Sequence, residues 1–187
     1  MRIIGGRFKG LGLTAVGKGD KAAHLRPTTD RVRESLFSML EGGRFGAPIE
    51  GAHVLDLFAG TGALGLEALS RGAEHVTFVE NGRSALKLLT ANIAKAGVGK
   101  ETTVLRCDAT RLPASGRPAS LVFLDPPYGT GKGEAALLSA MKAGWLASDA
   151  LVVWEDSAEP RAPEGLAKIE ARRFGQTFLT FLRGEDT

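Results

Sequence analysis

Short apolar segments alternate with amphipathic ones through most of the chain. The apolar segments are four to six residues long and lie at residues 53–57, 75–80, 102–106, 121–124 and 150–154. Between them, apolar side chains recur at helical spacing over residues 63–71, 84–95 and 134–142. Residues 167–173 and 176–183 are expected to pair as antiparallel strands around a turn at Gly175. The alternation predicts an α/β fold in which helices cover both faces of a mostly parallel sheet.

The first 50 residues follow a different pattern. Residues 1–13 are rich in glycine and predict a short hairpin or an extended arm, which a polar loop follows. Apolar side chains at helical spacing then predict a helix over residues 30–40, and a linker with glycine and proline comes next. We therefore expect residues 1–50 to form an N-terminal extension of one domain that spans residues 51–187.

A glycine-rich loop follows the first strand. Gly60, Gly62 and Gly65 form a G-x-G-x-x-G pattern that leads into a helix. Glycine lets the backbone turn sharply and approach a ligand closely, at the sheet edge where parallel folds bind small molecules. Glu80 ends the second strand, 20 residues after Gly60, where its carboxylate can accept hydrogen bonds from both hydroxyls of a ribose. The pattern predicts a site for a cofactor that contains adenosine.

This loop is compatible with two cofactors, a nicotinamide dinucleotide and S-adenosylmethionine. Asp56, just before the loop, favours S-adenosylmethionine because a carboxylate there suits an ammonium group and would repel a pyrophosphate. Chain length favours it too, since a dinucleotide fold would leave little chain for a substrate domain. Asp108, after the third strand, is expected either to accept from an adenine amino group or to cap a turn. The other positions assigned to the cofactor site are Phe58, Asn81 and Ala109.

The most informative segment follows the strand at residues 121–124 and reads Asp125-Pro126-Pro127-Tyr128. An exocyclic base amine is a poor nucleophile because its lone pair is delocalised into the ring. Asp125 and the carbonyl of Pro126 can accept from the two amino hydrogens, which opposes that delocalisation, and the two prolines preorganise these acceptors. Tyr128 offers a flat face for base stacking, worth about 1–3 kcal/mol per base. The segment predicts methyl transfer to a planar amine.

Positive charge is concentrated at the start of the chain. Residues 1–40 hold eight Lys or Arg and three acids, whereas the whole chain is only +3 at pH 7. A basic segment of this kind attracts a polyanion through phosphate contacts and counterion release. Arg31 and Arg33 are too close in sequence to share a helix face, so one is expected to contact the polyanion and the other to pair with an acid. The residues assigned to binding this polyanion, which the family resemblance described below implies to be RNA, are Arg2, Arg7, Lys9, Arg26, Thr28, Arg31 and Arg33.

Composition argues against several other classes of protein. One cysteine and three scattered histidines provide no disulfide and no metal site of familiar spacing. No apolar run approaches the roughly 18 residues of a membrane span, and residues 1–6 do not resemble a signal peptide. We expect a cytoplasmic, monomeric protein without a metal.

Four segments resemble the RsmD family, bacterial methyltransferases that modify guanine N2 in small-subunit ribosomal RNA. They are residues 1–6, 25–34, 55–72 and 125–128, so the resemblance spans nearly the whole chain. It implies a Rossmann-like class I methyltransferase with a seven-stranded sheet whose last strand is antiparallel. It also implies S-adenosylmethionine as the donor and 16S ribosomal RNA, in a small-subunit particle, as the substrate. Two positions depart from the family pattern: Tyr128, where some relatives have Phe, and Asn81, where an acid is common.

Three other functions are compatible with parts of the pattern. A DNA adenine-N6 methyltransferase uses the same motif but usually needs a target-recognition domain, for which 187 residues leave no room. A protein glutamine-amide methyltransferase uses similar amine chemistry, and the basic N-terminal segment argues against it. A non-catalytic RNA-binding assembly factor on the same scaffold is disfavoured by the intact motif at residues 125–128.

Overall fold

A seven-stranded mixed sheet organises the protein in a computed structural model that describes residues 1–15 and 30–184. Its strands lie side by side in the order β3-β2-β1-β4-β5-β7-β6. The first five strands along the chain are parallel, and β7 runs antiparallel to both of its neighbours. The strands are β1 (His53–Leu57), β2 (His75–Val79), β3 (Thr102–Leu105), β4 (Ala119–Leu124), β5 (Leu146–Asp156), β6 (Leu166–Phe174) and β7 (Thr177–Gly184). The predicted sheet with an antiparallel last strand is confirmed.

Helices cover both faces of this sheet. On one face, Leu40, Leu66 and Leu89 bring three different helices into one buried cluster, and on the other face Leu137 belongs to a second cluster. The helices are α1 (Asp30–Glu41), α2 (Ala63–Ser70), α3 (Arg83–Ala96) and α4 (Lys132–Lys142). Three short 3-10 turns lie at Gly6–Phe8, Gly99–Glu101 and Ala109–Arg111. Most predicted boundaries lie within about two residues of these.

Strand β5 is the main difference from the predicted elements. It begins at Leu146, four residues before the apolar run that starts at Ala150. Ser148 and Asp149 are exposed and interrupt the alternation, and the pairing with β4 shifts register at this point. The sequence pattern could therefore reveal only the buried half of the strand.

The first residues fold back on themselves and join the core. The backbone N–H of Ile3 donates to the carbonyl of Leu11 at 2.9 Å, and that of Leu13 donates to Met1 at 3.0 Å, which makes the predicted hairpin. Ile3 and Leu13 are buried in the same cluster as Phe37 of α1. The loop predicted to follow, with Arg26 and Thr28, lies almost wholly outside the described residues.

A buried carboxylate fastens this hairpin to α2. Glu67 has no exposed surface and accepts from the backbone N–H groups of Ile4 and Gly5, both at 2.8 Å. It also accepts from Arg71 Nε at 2.8 Å. Three donors from two parts of the chain converge on one side chain, so Glu67 links the hairpin to the helix that follows the glycine loop.

Arg33 belongs to the same buried network. Its guanidinium is fully buried, with Nε 3.8 Å from Glu67 and Nη2 3.0 Å from Asp30, and it also donates to the carbonyl of Arg2. The expectation that Arg33 contacts RNA is corrected, because this guanidinium presents no surface to a phosphate. Of the two arginines, Arg33 is therefore the one that pairs with acids. Arg31 is exposed.

The segment between α1 and β1, expected as a linker, also contributes to the core. Phe45 stacks on Phe181 of β7 with ring centroids 4.7 Å apart and planes 16° from parallel. Ile49 is only 4 % exposed. Residues of this segment therefore anchor the start of the chain against the sheet. None of the helices in the described ranges is long and apolar enough to cross a membrane.

Candidate active site

The glycine loop makes the turn that the sequence predicted. Gly60 and Gly62 have φ angles of 57° and 80°, a conformation that side chains with a Cβ adopt only at a cost. Gly65 is needed for a different reason, since a Cβ there would lie 2.4 Å from Cε1 of Phe78 on β2. The first two glycines shape the turn, and the third lets α2 pack closely against the sheet.

Phe58 holds a strained conformation at the entrance to this loop. Its φ of 60° is the one positive value among the non-glycine residues that the structure describes. Left-handed geometry at such a residue costs about 1–3 kcal/mol and tends to occur at functional sites. This backbone conformation redirects the chain from the end of β1 into the glycine loop. The cofactor contact predicted for Phe58 falls at this turn and stays a prediction.

Asp56 supports the loop from beneath. It is 2 % exposed, and its Oδ2 accepts from the backbone N–H of Gly65 at 3.0 Å. That N–H lies in the first turn of α2, whose N-cap Gly62 offers no side chain, so Asp56 provides the missing cap from the adjacent strand. Burial, opposed by the Gly65 hydrogen bond and aided by the charge of Glu80, raises the pKa of Asp56 to about 7. A direct contact with a cofactor ammonium stays a prediction.

Glu80 joins the loops that follow β1 and β2. One carboxylate oxygen accepts from the N–H of Gly60 at 2.9 Å, and the other accepts from Asn81 and Gly82 at 2.8 and 2.6 Å. These contacts hold the carboxylate beside the glycine turn at the carboxyl edge of the sheet. Ribose hydroxyls can donate to a carboxylate in this position, so the placement of Glu80 is compatible with an adenosine group between the two loops.

Asp108 caps a turn after β3. Its Oδ1 accepts from both the backbone N–H and the hydroxyl of Thr110 at 2.9 Å, and these hydrogen bonds lower the pKa of Asp108. The structure thus shows the turn-capping alternative for this side chain, which is exposed, while Ala109 beside it is buried. Because β3 is parallel to β2 and β1, this turn lies at the same edge of the sheet as the glycine loop.

Asp125 lies directly beyond the end of β4, at the same edge. Because Leu124 pairs with Trp154, Asp125 and Glu155 follow on the next rung of two parallel strands. Burial, together with the charges of Glu155, Asp56 and Asp156, raises the pKa of Asp125 well above its usual value. Acidic side chains near the ends of three adjacent strands, β1, β4 and β5, therefore influence one another at this edge of the sheet.

Tyr128 is held in a fixed orientation by partners that the sequence did not reveal. Its hydroxyl donates to Glu155 Oε1 at 3.2 Å and lies 3.5 Å from Thr177 Oγ1. Burial raises the pKa of Tyr128 to about 12, so the hydroxyl remains a donor. The hydroxyl of Thr130 donates to the carbonyl of Pro127 at 2.7 Å and closes the loop behind the motif.

Glu155 and Thr177 are the site residues that sequence reasoning missed. Glu155 is 5 % exposed near the end of β5, and Thr177 begins β7. They meet Tyr128 because β7 is inserted between β5 and β6, a feature of topology that leaves no local pattern. The one available signal was an acid at the end of an otherwise apolar strand.

Asn92 is another residue beside the glycine loop that the sequence did not indicate. It is fully buried on α3, and its amide donates to the carbonyls of Thr61 and Thr14 at 2.9 and 3.0 Å. Its oxygen accepts from the N–H of Thr14 at 2.7 Å. One side chain thus ties the glycine loop to the end of the N-terminal hairpin.

The basic residues of the hairpin do not all face the site. Arg2, Lys9 and Arg31 are exposed. Arg7 is paired with Glu101, which immediately precedes β3 and so lies at the amino edge of the sheet. Arg7 is therefore at the opposite edge from Asp125, and its charge is shared with an acid.

The strand order, the glycine loop after β1, the acid after β2 and the Asp-Pro-Pro-Tyr segment after β4 together define a Rossmann-like methyltransferase. A family model described as Conserved hypothetical protein 95 matches residues 1–183. The chain is 41 % identical over 164 residues to ribosomal RNA small subunit methyltransferase D of Escherichia coli, covering 87 % of this chain and 78 % of that protein. The protein belongs to the RsmD family.

Two further relatives agree with this assignment. Ribosomal RNA small subunit methyltransferase D of Haemophilus influenzae is 34 % identical over 159 residues, which cover 83 % of this chain and 78 % of that protein. The solved structure of the Escherichia coli protein yhhF superposes with a TM-score of 0.82 at 36 % identity, over 100 % of this chain and 99 % of that one. Family and fold extend over essentially the full length.

Proposed function

We propose that this protein transfers a methyl group from S-adenosylmethionine to the N2 amine of a guanine in 16S ribosomal RNA. The observation that carries the proposal is the arrangement at the end of β4, where Asp125 and the Pro126 carbonyl follow a buried strand and Tyr128 is held by Glu155. Membership of the RsmD family supports the substrate, since its Escherichia coli relative is named as a small-subunit ribosomal RNA methyltransferase.

The cofactor is proposed to lie across the carboxyl ends of β1, β2 and β3. Glu80 accepts from the ribose hydroxyls, and the turn at Asp108 and Ala109 borders the adenine. The glycine loop gives the backbone room to approach the amino-acid end. When bound, S-adenosylmethionine supplies an electrophilic methyl group. No metal is needed in this scheme.

The chain's own contribution is alignment of the amine. The carboxylate of Asp125 and the carbonyl of Pro126 accept from the two amino hydrogens, which keeps the nitrogen lone pair out of the ring and directed at the methyl group. Tyr128 stacks on the base, and Glu155 fixes the ring. Alignment of this kind can supply several kcal/mol of the barrier reduction. After transfer, Asp125 accepts the proton that the nitrogen releases, and a paired target base must first leave its stack.

The N-terminal extension, residues 1–50, is proposed to add contacts to the RNA. Arg2, Lys9 and Arg31 are the exposed cations of its described part. Arg26 and Thr28 remain candidates on sequence grounds. The proposed setting is a monomer acting in the cytoplasm on a small-subunit particle.

Nucleoside mass spectrometry of ribosomal RNA tests the proposal. We expect N2-methylguanosine to be lost from one site of 16S RNA when the gene is deleted, and to return with the wild-type gene. Complementation with Asp125→Ala should not restore it. Unchanged 16S modification would contradict the proposal, and loss of N6-methyladenine from DNA or of methylglutamine from a protein would identify one of the alternative substrates.

The pH dependence of kcat should respond to Glu155. Asp125 accepts the amino hydrogens as a carboxylate, so activity falls as the pH drops through its raised pKa. Burial and the charge of Glu155 both raise that pKa, in that order. Glu155→Gln removes the charge and should move the acid limb of the kcat profile to lower pH, without returning it to the range of an exposed aspartate.

Asp156→Asn is the matched control for this prediction. Asp156 neighbours Glu155 and also raises the pKa of Asp125, but it is the smallest of the four causes. A clearly smaller shift is expected. An acid limb that does not move in Glu155→Gln would show that the ionisation of Asp125 does not set the profile.

A further inference from the structure

Helix α3 packs directly against the glycine loop. Leu89 lies so close to Gly62 that a Cβ on this glycine would be 2.5 Å from Cδ1 of Leu89. Asn92, three residues further along the same face of the helix, has no exposed surface, and its amide nitrogen donates to the carbonyl of Thr61 at 2.9 Å. One helix face therefore gives the loop both an apolar and a polar contact.

The polar contact helps to fix the orientation of one peptide group in the loop. The carbonyl of Thr61 and the N–H of Gly62 belong to the same peptide group, and this N–H donates to the carbonyl of Ala59 at 2.8 Å. Gly62 has a φ of 80°, in a segment where glycine leaves the backbone many alternatives. Asn92 and Ala59 thus hold this peptide group from both ends.

The amide of Asn92 is itself oriented by the N-terminal extension. Its oxygen accepts from the backbone N–H of Thr14 at 2.7 Å, and its nitrogen donates to the carbonyl of Thr14 at 3.0 Å. An amide oxygen only accepts and an amide nitrogen only donates, so a half-turn of the side chain would oppose like groups at Thr14. Thr14 therefore selects the orientation in which the nitrogen faces Thr61.

Lys95 holds the same part of the extension without reaching the loop. It is exposed, lies three residues after Asn92 on α3, and its Nζ donates to the carbonyl of Gly12 at 2.5 Å. Within residues 1–15 and 30–184 it makes no hydrogen bond to the glycine loop. The chain thus offers two contacts from α3 to the extension, of which one continues to the proposed cofactor site.

We propose that Asn92 is a positioning residue for S-adenosylmethionine: it fixes the peptide group between Thr61 and Gly62, and Thr14 orients its amide, so that the N-terminal extension contributes to cofactor affinity. This inference rests on the proposed function. A loop that is already held in its bound conformation loses less conformational freedom when the ligand binds, and affinity rises accordingly. The extension then has a role at the cofactor site in addition to the RNA contacts proposed for it.

The test compares Asn92→Leu with Lys95→Met. Leucine has a similar volume to asparagine but no polar atom, so the Thr61 carbonyl and both backbone groups of Thr14 lose their partner. We expect the Kd and KM for S-adenosylmethionine to rise about tenfold in Asn92→Leu, with kcat at saturating cofactor within about threefold of wild type. Lys95→Met should stay within about twofold in all three quantities, because it loses only a surface contact. Calorimetry gives Kd, and methylation of small ribosomal subunits from cells that lack the gene gives KM and kcat.

Hydrogen exchange in the cofactor-free proteins separates this inference from the proposed function. Backbone amides of residues 59–66 should exchange faster in Asn92→Leu than in wild type, and at the wild-type rate in Lys95→Met. If wild-type protein bound no S-adenosylmethionine, the proposed donor would be wrong, and these exchange rates would still decide whether Asn92 fixes the loop.

Two results would overturn the inference. One is a cofactor Kd in Asn92→Leu within about twofold of wild type, which is the scatter expected of a substitution without a special role. The other is an equal loss of affinity in Lys95→Met, since affinity would then follow the attachment of the extension and not the bond to Thr61.

A measurement on the wild-type protein decides the question if Asn92→Leu does not fold. The chain has two asparagines, Asn81 and Asn92, so selective ¹⁵N labelling of asparagine gives two side-chain amide signals, which Asn81→Ser assigns. The Asn92 amide hydrogens should exchange slowly with solvent, and their signals should shift when S-adenosylmethionine is added to saturation. Fast exchange, or signals that do not move, would contradict the proposed role.

Discussion

Asp125→Ala is expected to lower kcat by at least about 100-fold while S-adenosylmethionine affinity stays within about twofold. In the proposed arrangement, the variant loses one of the two acceptors that would localise the lone pair of the target amine. Removing a single preorganised polar group of this kind from an active site typically costs a factor of 10² to 10³. Cofactor affinity is spared because Glu80 and the glycine loop, which are expected to hold the adenosine, do not contact Asp125 through any hydrogen bond in the described structure. Single-turnover methylation and calorimetry measure the two quantities.

Asp156→Ala serves as the comparison, because it removes a neighbouring acid at the same edge without touching the proposed acceptors. Its kcat should stay within a few-fold of wild type. If Asp125→Ala retained near wild-type turnover, the proposed amine alignment would be wrong. If cofactor affinity collapsed together with kcat, Asp125 would belong to the cofactor site instead.

We expect the ionised carboxylate of Asp125 to lower the stability of the folded protein, and the variant Asp125→Asn tests this expectation. Burial and neighbouring carboxylates raise its pKa in the folded state above the unfolded value. The folded state therefore binds the proton more tightly, and stability is lost as the pH rises through that raised pKa. The asparagine variant lacks this loss. Its Tm should exceed that of wild type at pH 8, and the gap should shrink as the pH falls toward 4.

The sequence located the parts of the site that are local in the chain. The loop from Gly60 to Gly65 and the segment from Asp125 to Tyr128 are contiguous, and each follows an apolar strand whose end defines its place in the sheet. Topology then brings them to one edge without further information. This is why the fold and the class of reaction could be predicted before any side-chain contact was known.

The partners of these segments could not be predicted in the same way. Glu155 reaches Tyr128 through the insertion of β7, and Asn92 reaches Thr14 across 78 residues of chain. Arginine is a residue type that often binds RNA, and only the packing of α1 against α2 shows that Arg33 is buried. Long-range contacts decide whether a polar side chain is buried in the interior or exposed on the surface. Hydrophobic periodicity along the sequence does not reveal such contacts.

Glu67→Ala should destabilise the protein by about 3–5 kcal/mol, the range seen when one partner of a buried ion pair is removed. The variant leaves the N–H groups of Ile4 and Gly5 without their acceptor and removes the carboxylate that faces Arg33. Glu101 provides the matched control, since it also holds the hairpin, through Arg7, but at the surface. Glu101→Ala should cost no more than about 1 kcal/mol. Urea unfolding measures both.

A double-mutant cycle shows which part of the Glu67 effect comes from the arginine. If the uncompensated charge of Arg33 dominates, Arg33→Met should recover part of the loss in the Glu67→Ala background, because an apolar side chain of similar length tolerates burial without a partner. If the unpaired backbone N–H groups of Ile4 and Gly5 dominate, the two changes should add. A Glu67→Ala variant as stable as Glu101→Ala would mean that the hairpin is held by its apolar residues Ile3 and Leu13, and that the ion network contributes orientation alone.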